Sequence, residues 1–293
     1  MAYGSPNKEE DVLPYYTDIR RGREPSKEDL DELIERYYQV GALNGPSVLL
    51  TVSKKQAELL GESLGDDYKI YLGMRHWQPW IRDVISEMHK DGIEEAIALV
   101  LAPHFSTMSV AAYQGLVNKA LEDQGVNIKF KFVNQWHLES NYLKALEELC
   151  LESFKKSNFS KEHTHVFFTA HSLPQRILQN GDTYKDSLYE TSEALAKRLE
   201  LPNWSLAFQS EGKTQGPWLG PDVCDAIKDK KDEGFDNILV CCIGFLVDHL
   251  EVKFDLDIEA KETAEKLNLG FYRVPSLNTN PQLIEALKTL VLN

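Results

Sequence analysis

Four apolar runs in the 293-residue chain end on residues able to do chemistry. Residues 69–73 lead into Arg75-His76-Trp77, 96–102 into Pro103-His104-Phe105-Ser106, 165–170 into His171-Ser172-Leu173-Pro174, and 238–247 into Asp248-His249-Leu250-Glu251. Ligands of open α/β sheets bind beyond the carboxyl ends of strands, so four such histidines would converge on one edge of the molecule. A single histidine after a strand is more often a cap or a packed side chain than a catalyst. The context of His171, a buried strand running directly into Ser-Leu-Pro, weakens that bland reading. The fourth run adds carboxylates. Glu251, Asp255 and Glu259 are spaced i, i+4, i+8 and share one helix face, where like charges repel unless a cation or solvent compensates. A solvated acidic face explains the spacing equally well. Against it, the ridge starts at a strand end, and oxygen donors with at most one histidine suit a divalent ion held loosely enough to be passed on.

Arg20-Arg21-Gly22-Arg23 is a dense positive cluster whose guanidinium forks could pair with carboxylates or phosphates; a solvated loop is the alternative. The chain has no G-x-G-x-x-G, no G-x-x-x-x-G-K and no H-E-x-x-H, and it has no G-x-S-x-G elbow, since its Gly61-Glu62-Ser63-Leu64-Gly65 does not directly follow an expected strand, which removes support for nucleotide binding, serine hydrolysis and a zinc protease. The Gly- and Pro-rich stretch 210–221 demands an ordered turn, and its Trp218 could be a core anchor or a flat wall for an aromatic ligand.

The elements that must hold these residues follow from periodicity. Short β-branched runs alternate with helical segments, the pattern of a parallel sheet covered on both faces. Strands are expected at 47–53, 69–73, 96–102, 128–133, 165–170, 205–209, 238–244 and 270–273. Helical periods fit 27–40, capped by Ser26, and 79–91, 109–123, 142–154, 183–199 and 222–233. The polar segment 155–162 is the candidate domain boundary. With 32 lysines and arginines against 46 acidic residues the net charge is −14, which excludes nucleic acid as a general partner. The longest apolar stretch, 238–247, is about half a membrane span, and no cleavable signal precedes the polar N-terminus, so no integral membrane association and a cytoplasmic location are expected. Cys150, Cys224, Cys241 and Cys242 contain no C-x-x-C pair and read as buried reduced thiols.

In order and spacing over nearly the whole chain, eight motifs resemble the ferrochelatases, which insert ferrous iron into a porphyrin, and specifically their soluble coproporphyrin branch in Gram-positive bacteria. The motifs are Met1-Ala2-Tyr3-Gly4, Ile19-Arg20-Arg21-Gly22-Arg23, Gly73-Met74-Arg75-His76, Ala102-Pro103-His104-Phe105-Ser106, Ala170-His171-Ser172-Leu173-Pro174, Phe208-Gln209-Ser210-Glu211-Gly212, Pro217-Trp218-Leu219-Gly220-Pro221 and Asp248-His249-Leu250-Glu251-Val252. The resemblance implies an α/β fold of two similar doubly wound, parallel-sheet domains with the active-site cleft between them. The halves would span 1–155 and 156–275, with a C-terminal helix in 276–293 packing back on the first.

By matching motif, the resemblance makes His171 and Glu251 the catalytic pair on the metal-exchange face and Tyr3 the residue facing the metal from the other side. It puts Arg75 and His76 near the metal, Arg20 and Arg21 near the propionates, and Ser106 and Tyr113 in the cleft lining. Asp255 and Glu259 match an outer cation site that could take Mg. Ferrous iron and coproporphyrin III are the implied substrates and coproheme the product, in haem biosynthesis, with no tightly bound cofactor, a monomeric state and a transient haem-pathway enzyme as partner. The alternatives are a protoporphyrin IX enzyme, a cobalt or nickel tetrapyrrole chelatase, and a non-catalytic porphyrin carrier.

Three departures from the family pattern carry expectations. The family begins with a buried strand of about ten residues ahead of Met-Ala-Tyr-Gly. Its absence here predicts a cavity in the first half and leaves Tyr3 on a loose end. Arg75 stands where lysine is usual, and a guanidinium that keeps its proton is a poor metal ligand. Asn44-Gly45-Pro46-Ser47-Val48-Leu49 replaces Gly-Gly-Ile-Ser-Pro-Leu, which alters part of the cleft rim.

Overall fold

A computed structural model of the chain describes residues 1–212 and 216–293; Lys213, Thr214 and Gln215, within the turn expected at 210–221, lie outside the described residues. The architecture is α/β with parallel strands, in two compact units. The first comprises Met1–Ala102, Met108–Asn134 and Leu287–Asn293, and the second Pro103–Thr107 and Gln135–Ala286.

The first unit carries α1 (Glu9–Ile19), α2 (Lys27–Gln39), α3 (Val48–Leu64), α4 (Ile81–Lys90), β1 (Glu95–Leu99), α5 (Val110–Gln124) and β2 (Lys129–Val133). Strands β1 and β2 pair in parallel, Glu95 opposite Lys129 and Leu99 opposite Val133. Ser26 caps α2 as expected, its hydroxyl accepting from the Asp29 N–H. Residues 47–53 are not a strand. The Ser47 hydroxyl accepts from the Leu50 N–H and opens α3, whose buried Ser53, Gln56 and Leu60 recur at helical spacing. Residues 69–73 form no strand either. At their end the Gly73 carbonyl accepts from the Ala2 N–H, and Ala2 and Trp80 each bridge to Met74.

The second unit carries α6 (Ser140–Ser157), β3 (Thr164–His171), a 3-10 turn (Gln175–Asn180), α7 (Tyr184–Arg198), β4 (Trp204–Gln209), α8 (Val223–Asp232), β5 (Asn237–Cys242), a π-helix (Val252–Ala260), α9 (Lys261–Lys266) and β6 (Gly270–Val274). The four strands are all parallel, in the order β4-β3-β5-β6. Every residue of β3 before His171 is buried, which is why it reads as one continuous apolar run. Phe167, Ile227, Ile238, Val240 and Leu256 form the centre of the core on one side of this sheet.

The boundary expected at 155–156 falls inside α6, which belongs wholly to the second unit. Its polar last turn imitates a linker in sequence, but its other end is anchored deep: Tyr142 is fully buried and donates to the Ile243 carbonyl at 2.7 Å. The division within α10 (Pro281–Leu292) comes after Ala286, so that Leu287 onward groups with the first unit. Cys150, Cys241 and Cys242 are buried free thiols, whereas Cys224 is half-buried. Among the described residues no helix is long and apolar enough to cross a membrane.

Candidate functional site

Strand β3 delivers His171. The chain after it is pinned, the Ser172 N–H donating to the Gln209 carbonyl and the Ser172 hydroxyl to the Leu219 carbonyl, each at 2.7 Å. A side chain at Gly244 would put its Cβ 2.7 Å from that of Ala170, so glycine lets the exit of β5 pass this strand end closely. The His171 Nδ1 bonds to the Ser172 carbonyl, which can only accept, so Nδ1 holds the ring proton and Nε2 carries the lone pair. That nitrogen lies 3.8 Å from a carboxylate oxygen of Glu251, and both side chains are about one-third exposed. The Tyr184 hydroxyl donates to the His171 carbonyl at 3.0 Å, and burial pushes this phenol far above its ordinary pKa, so it stays a donor.

Glu251 is held in turn. Its backbone N–H donates to Nδ1 of His249 at 3.2 Å, and the Phe245 ring meets His249 edge-on at 4.3 Å and His171 at 6.1 Å. Burial lowers the His249 pKa, which keeps Nδ1 unprotonated and accepting. His249 therefore orients Glu251. Downstream, the expected acidic ridge folds as the π-helix and its members separate by environment: Asp255 is 6% exposed and accepts from the Ser210 hydroxyl, while Glu259 is exposed.

No grouping of three or more His, Cys, Asp or Glu that could hold a metal forms among the described residues. Beside the ridge, Arg273 clamps Asp257 through Nε at 2.5 Å and Nη2 at 2.9 Å, and reaches Asp248 at 2.7 Å. Burial alone would raise the Asp248 pKa; Arg273 with the Asn278 and Ser276 hydrogen bonds outweighs it and holds this carboxyl below its usual range.

Residues 103–107 are tied into the second unit by Asp182, whose carboxylate accepts from Ser106 Oγ at 3.0 Å, from Thr107 N and Oγ1 at 2.6 Å, and from Tyr184 N at 2.9 Å. Ser106 is fully buried, with its hydroxyl on this contact. His104 is equally enclosed: Nε2 meets Thr191 Oγ1 at 2.9 Å, Nδ1 has no partner, and burial drives its pKa well down. Trp218 bridges to Pro174, and its ring lies on Gly212, where a Cβ would come within 2.6 Å of it.

In the first unit Tyr3 is not on a loose end. The Met1 amine donates to the Leu99 carbonyl at 2.7 Å, Ala2 N to Gly73 O at 3.1 Å, and His76 N to Tyr3 O at 2.8 Å, so backbone ties run on both sides of Met1–Tyr3. The Tyr3 ring lies 4.5 Å from that of His76, and the Arg75 guanidinium sits 5.8 Å from Tyr3 and 5.6 Å from Tyr113 while donating to the Met108 carbonyl at 3.1 Å. Tyr113 is buried, and burial raises its pKa. His76 Nδ1 donates to Asp18 at 2.7 Å; even so, burial brings its pKa down to about 4, so the ring is neutral at pH 7 with Nε2 free of the ring proton. Arg20 ends α1, 3.9 Å from Asp29 and 5.5 Å over the Tyr16 ring, and Arg21 is exposed with φ at +58°.

The structure thus brings His171 to Glu251 in one unit, and Tyr3 to Arg75, His76 and Tyr113 in the other. Asp182, Tyr184 and Arg273 had no sequence signal, and Asp248 stood in a motif with no role assigned to it, because their partners lie far away in the chain.

Among solved structures, SirB from Bacillus subtilis with Fe3+ matches at TM-score 0.60 and 11% identity over 84% of this chain and 90% of that one. A sirohydrochlorin chelatase from Bacillus subtilis subspecies spizizenii in complex with cobalt matches at TM-score 0.57 and 10% identity over 83% and 88%. At such identities the likeness speaks for the fold alone. Sequence relatives are nearer. Coproporphyrin III ferrochelatase of Anoxybacillus flavithermus is 41% identical over 300 residues, covering 100% of this chain and 94% of the relative. Ferrochelatase of Herpetosiphon aurantiacus is 39% identical, covering 99% and 96%. The profile of the family described as Ferrochelatase matches residues 1–293, and the chain belongs to the ferrochelatase family.

Proposed function

We propose that this protein inserts ferrous iron into coproporphyrin III to give coproheme. The observation that carries the reading is the His171–Glu251 pair: an imidazole with its lone-pair nitrogen 3.8 Å from a carboxylate about one-third exposed. Insertion must strip water from the ion and release two pyrrole protons from the macrocycle. A neutral imidazole beside a carboxylate accepts such a proton and hands it on. No protein nucleophile is required.

Tyr3 and the neutral His76 offer oxygen and nitrogen donors toward iron, whereas Arg75, always protonated, serves as a fixed positive charge. Arg20 and Arg21 pair with propionates, which coproporphyrin carries in greater number than protoporphyrin. Relatives named coproporphyrin III ferrochelatase at 38–41% identity favour that substrate. In this reading iron is a substrate, and the protein works as a monomer in the cytoplasm, handing its product to a haem-pathway enzyme.

The test is anaerobic incubation of ferrous iron with coproporphyrin III or protoporphyrin IX, followed by absorbance. Faster conversion of coproporphyrin supports the proposal. Preference for protoporphyrin would change the substrate, preference for cobalt or nickel would change the metal, and tight binding without insertion would make the protein a carrier.

A further inference from the structure

The Pro103–Thr107 segment follows an apolar run with a histidine and a serine, and the chemistry proposed above uses neither. Within the second unit its side chains grip one helix instead. His104 bonds Thr191 of α7 at 2.9 Å and meets the Tyr184 ring edge-on at 6.5 Å. Thr191 Oγ1 lies 3.0 Å from the Ser187 carbonyl and 3.2 Å from that of His137, which takes up its hydrogen, so His104 Nε2 is the donor in the bond between them. Tyr184 and Thr191 are seven residues apart and share a face of α7, and the buried His104 ring spans both turns.

The stronger grip is at the helix start. Thr183 occupies the cap position without a side-chain bond, and Asp182, one residue earlier, takes the Tyr184 N–H at 2.9 Å with one carboxylate oxygen. The other oxygen accepts from Ser106 Oγ at 3.0 Å and from Thr107 N and Oγ1 at 2.6 Å. This carboxylate is buried, its four donors are neutral, and its charge sits at the positive end of the α7 dipole. One side chain thus joins a distant segment to the first residue of α7. That residue, Tyr184, is held by its N–H at one end and donates its phenol to the His171 carbonyl at the other, 3.0 Å away. A shift of that carbonyl carries with it the ring whose Nε2 stands 3.8 Å from Glu251, and misplacement by an ångström is enough to slow a reaction severely.

We propose that Asp182 is a positioning residue of metal insertion: it fixes Tyr184, and through the phenol and the His171 carbonyl it sets the separation of His171 from Glu251. The inference rests on the reading of His171 as proton acceptor. Asp182 acts through Tyr184 and takes no proton itself.

The test is a double-mutant cycle on the full chain with ferrous iron and coproporphyrin III, read together with denaturant unfolding and NMR of the His171 ring. Asp182→Asn keeps the size of the side chain but leaves one acceptor oxygen in place of two. It should lower kcat about fivefold with KM for iron unchanged. Tyr184→Phe should do the same, and adding Asp182→Asn to it should lower kcat by less than about twofold more, while the unfolding midpoint falls again. Rates saturate because both changes act on one carbonyl, whereas the bonds of Asp182 to Ser106 and Thr107 still contribute to stability without the phenol. Thr107→Val removes one of the four bonds at an exposed position and should show a smaller loss of the same kind, which keeps the proposal falsifiable should Asp182→Asn not fold. The His171 ring signals should shift in the same sense in all three single variants, although none of them alters the ring. The proposal is overturned if stability falls in Asp182→Asn or Thr107→Val with kcat unchanged, if the losses in kcat from Asp182→Asn and Tyr184→Phe multiply in full, or if the ring signals stay where they were. Normal turnover in His171→Ala would instead remove the proton-acceptor reading, and the ring signals would still decide whether Asp182 positions His171.

Discussion

His76 and His171 both stand at or shortly after the end of an apolar run, and both rings hold their proton on Nδ1, yet the two units place them in different surroundings. His76 is buried against Tyr3 and committed to the Asp18 carboxylate, and its pKa falls to about 4. His171 spends Nδ1 on a backbone carbonyl and leaves Nε2 facing Glu251 at 3.8 Å, one-third exposed. A ring that is hard to protonate can donate a lone pair to a metal but cannot shuttle protons near neutral pH. The one-third-exposed His171 ring instead faces a carboxylate, the arrangement that the proposed function uses for proton transfer. The contrast teaches that the place of a histidine after a strand says little about its role, and that the partner of the other ring nitrogen, with the degree of burial, decides it.

The largest effect should come from His171→Ala, expected to lower maximal insertion roughly 100-fold or more while porphyrin binding and folding persist. Near-normal turnover would erase the distinction between the two histidines. A milder change at the same place sharpens it. Tyr184→Phe removes the donor to the His171 carbonyl and should lower kcat several-fold with KM for iron unchanged, an effect absent if Tyr184 merely fills the core.

Next in size is Asp255→Asn, which weakens a buried bond to Ser210 and should cost about 1–3 kcal/mol of stability. Glu259→Gln, at an exposed position, should cost almost nothing. Denaturant unfolding of both variants checks whether the ridge is graded by burial as the structure has it; equal loss from both would contradict this. Arg20→Ala with Arg21→Ala should then weaken porphyrin binding about tenfold at low salt and less at high salt. Equal affinity of the two proteins for coproporphyrin III across the salt series would release the cluster from that role.

The smallest effect is a pH dependence of stability. His76 and His165 are both lowered from near 6.5 to about 4 in the folded chain, so between those values the unfolded state binds more protons. Their contribution is complete above 6.5 and is lost as pH falls toward 4. Melting temperature should therefore decline over that window, and His76→Asn, which keeps a donor for Asp18, should flatten the decline. An unchanged slope would show that His76 titrates normally.

Legibility in the sequence differed between the units for a physical reason. Strands β3 to β6 were readable to within two residues, most plainly β3 and β5, which run through the middle of the four-stranded sheet and are buried almost throughout. In the first unit, 47–53 has β-branched residues but also a serine placed to cap, and the cap with the helical burial pattern won. Residues 69–73 have strand composition but pair with no named strand among the described residues. The family motifs marked His171, Glu251, Tyr3 and His76. What they could not mark was which carboxylate would be spent on structure, since Asp182 holding 106–107 and Arg273 joining Asp248 to Asp257 are contacts between distant segments.

The central claim is that His171 and Glu251 act as one proton-accepting unit, and a double-mutant cycle reads it most directly. Initial rates at saturating ferrous iron and coproporphyrin III are measured for the unaltered protein, His171→Ala, Glu251→Gln and the combination. If the two work together, the double variant should be about as slow as the slower single one, because removing either already disables the unit. If instead the two losses multiply in full, the side chains act independently, and the pair 3.8 Å apart is not the proton-handling centre.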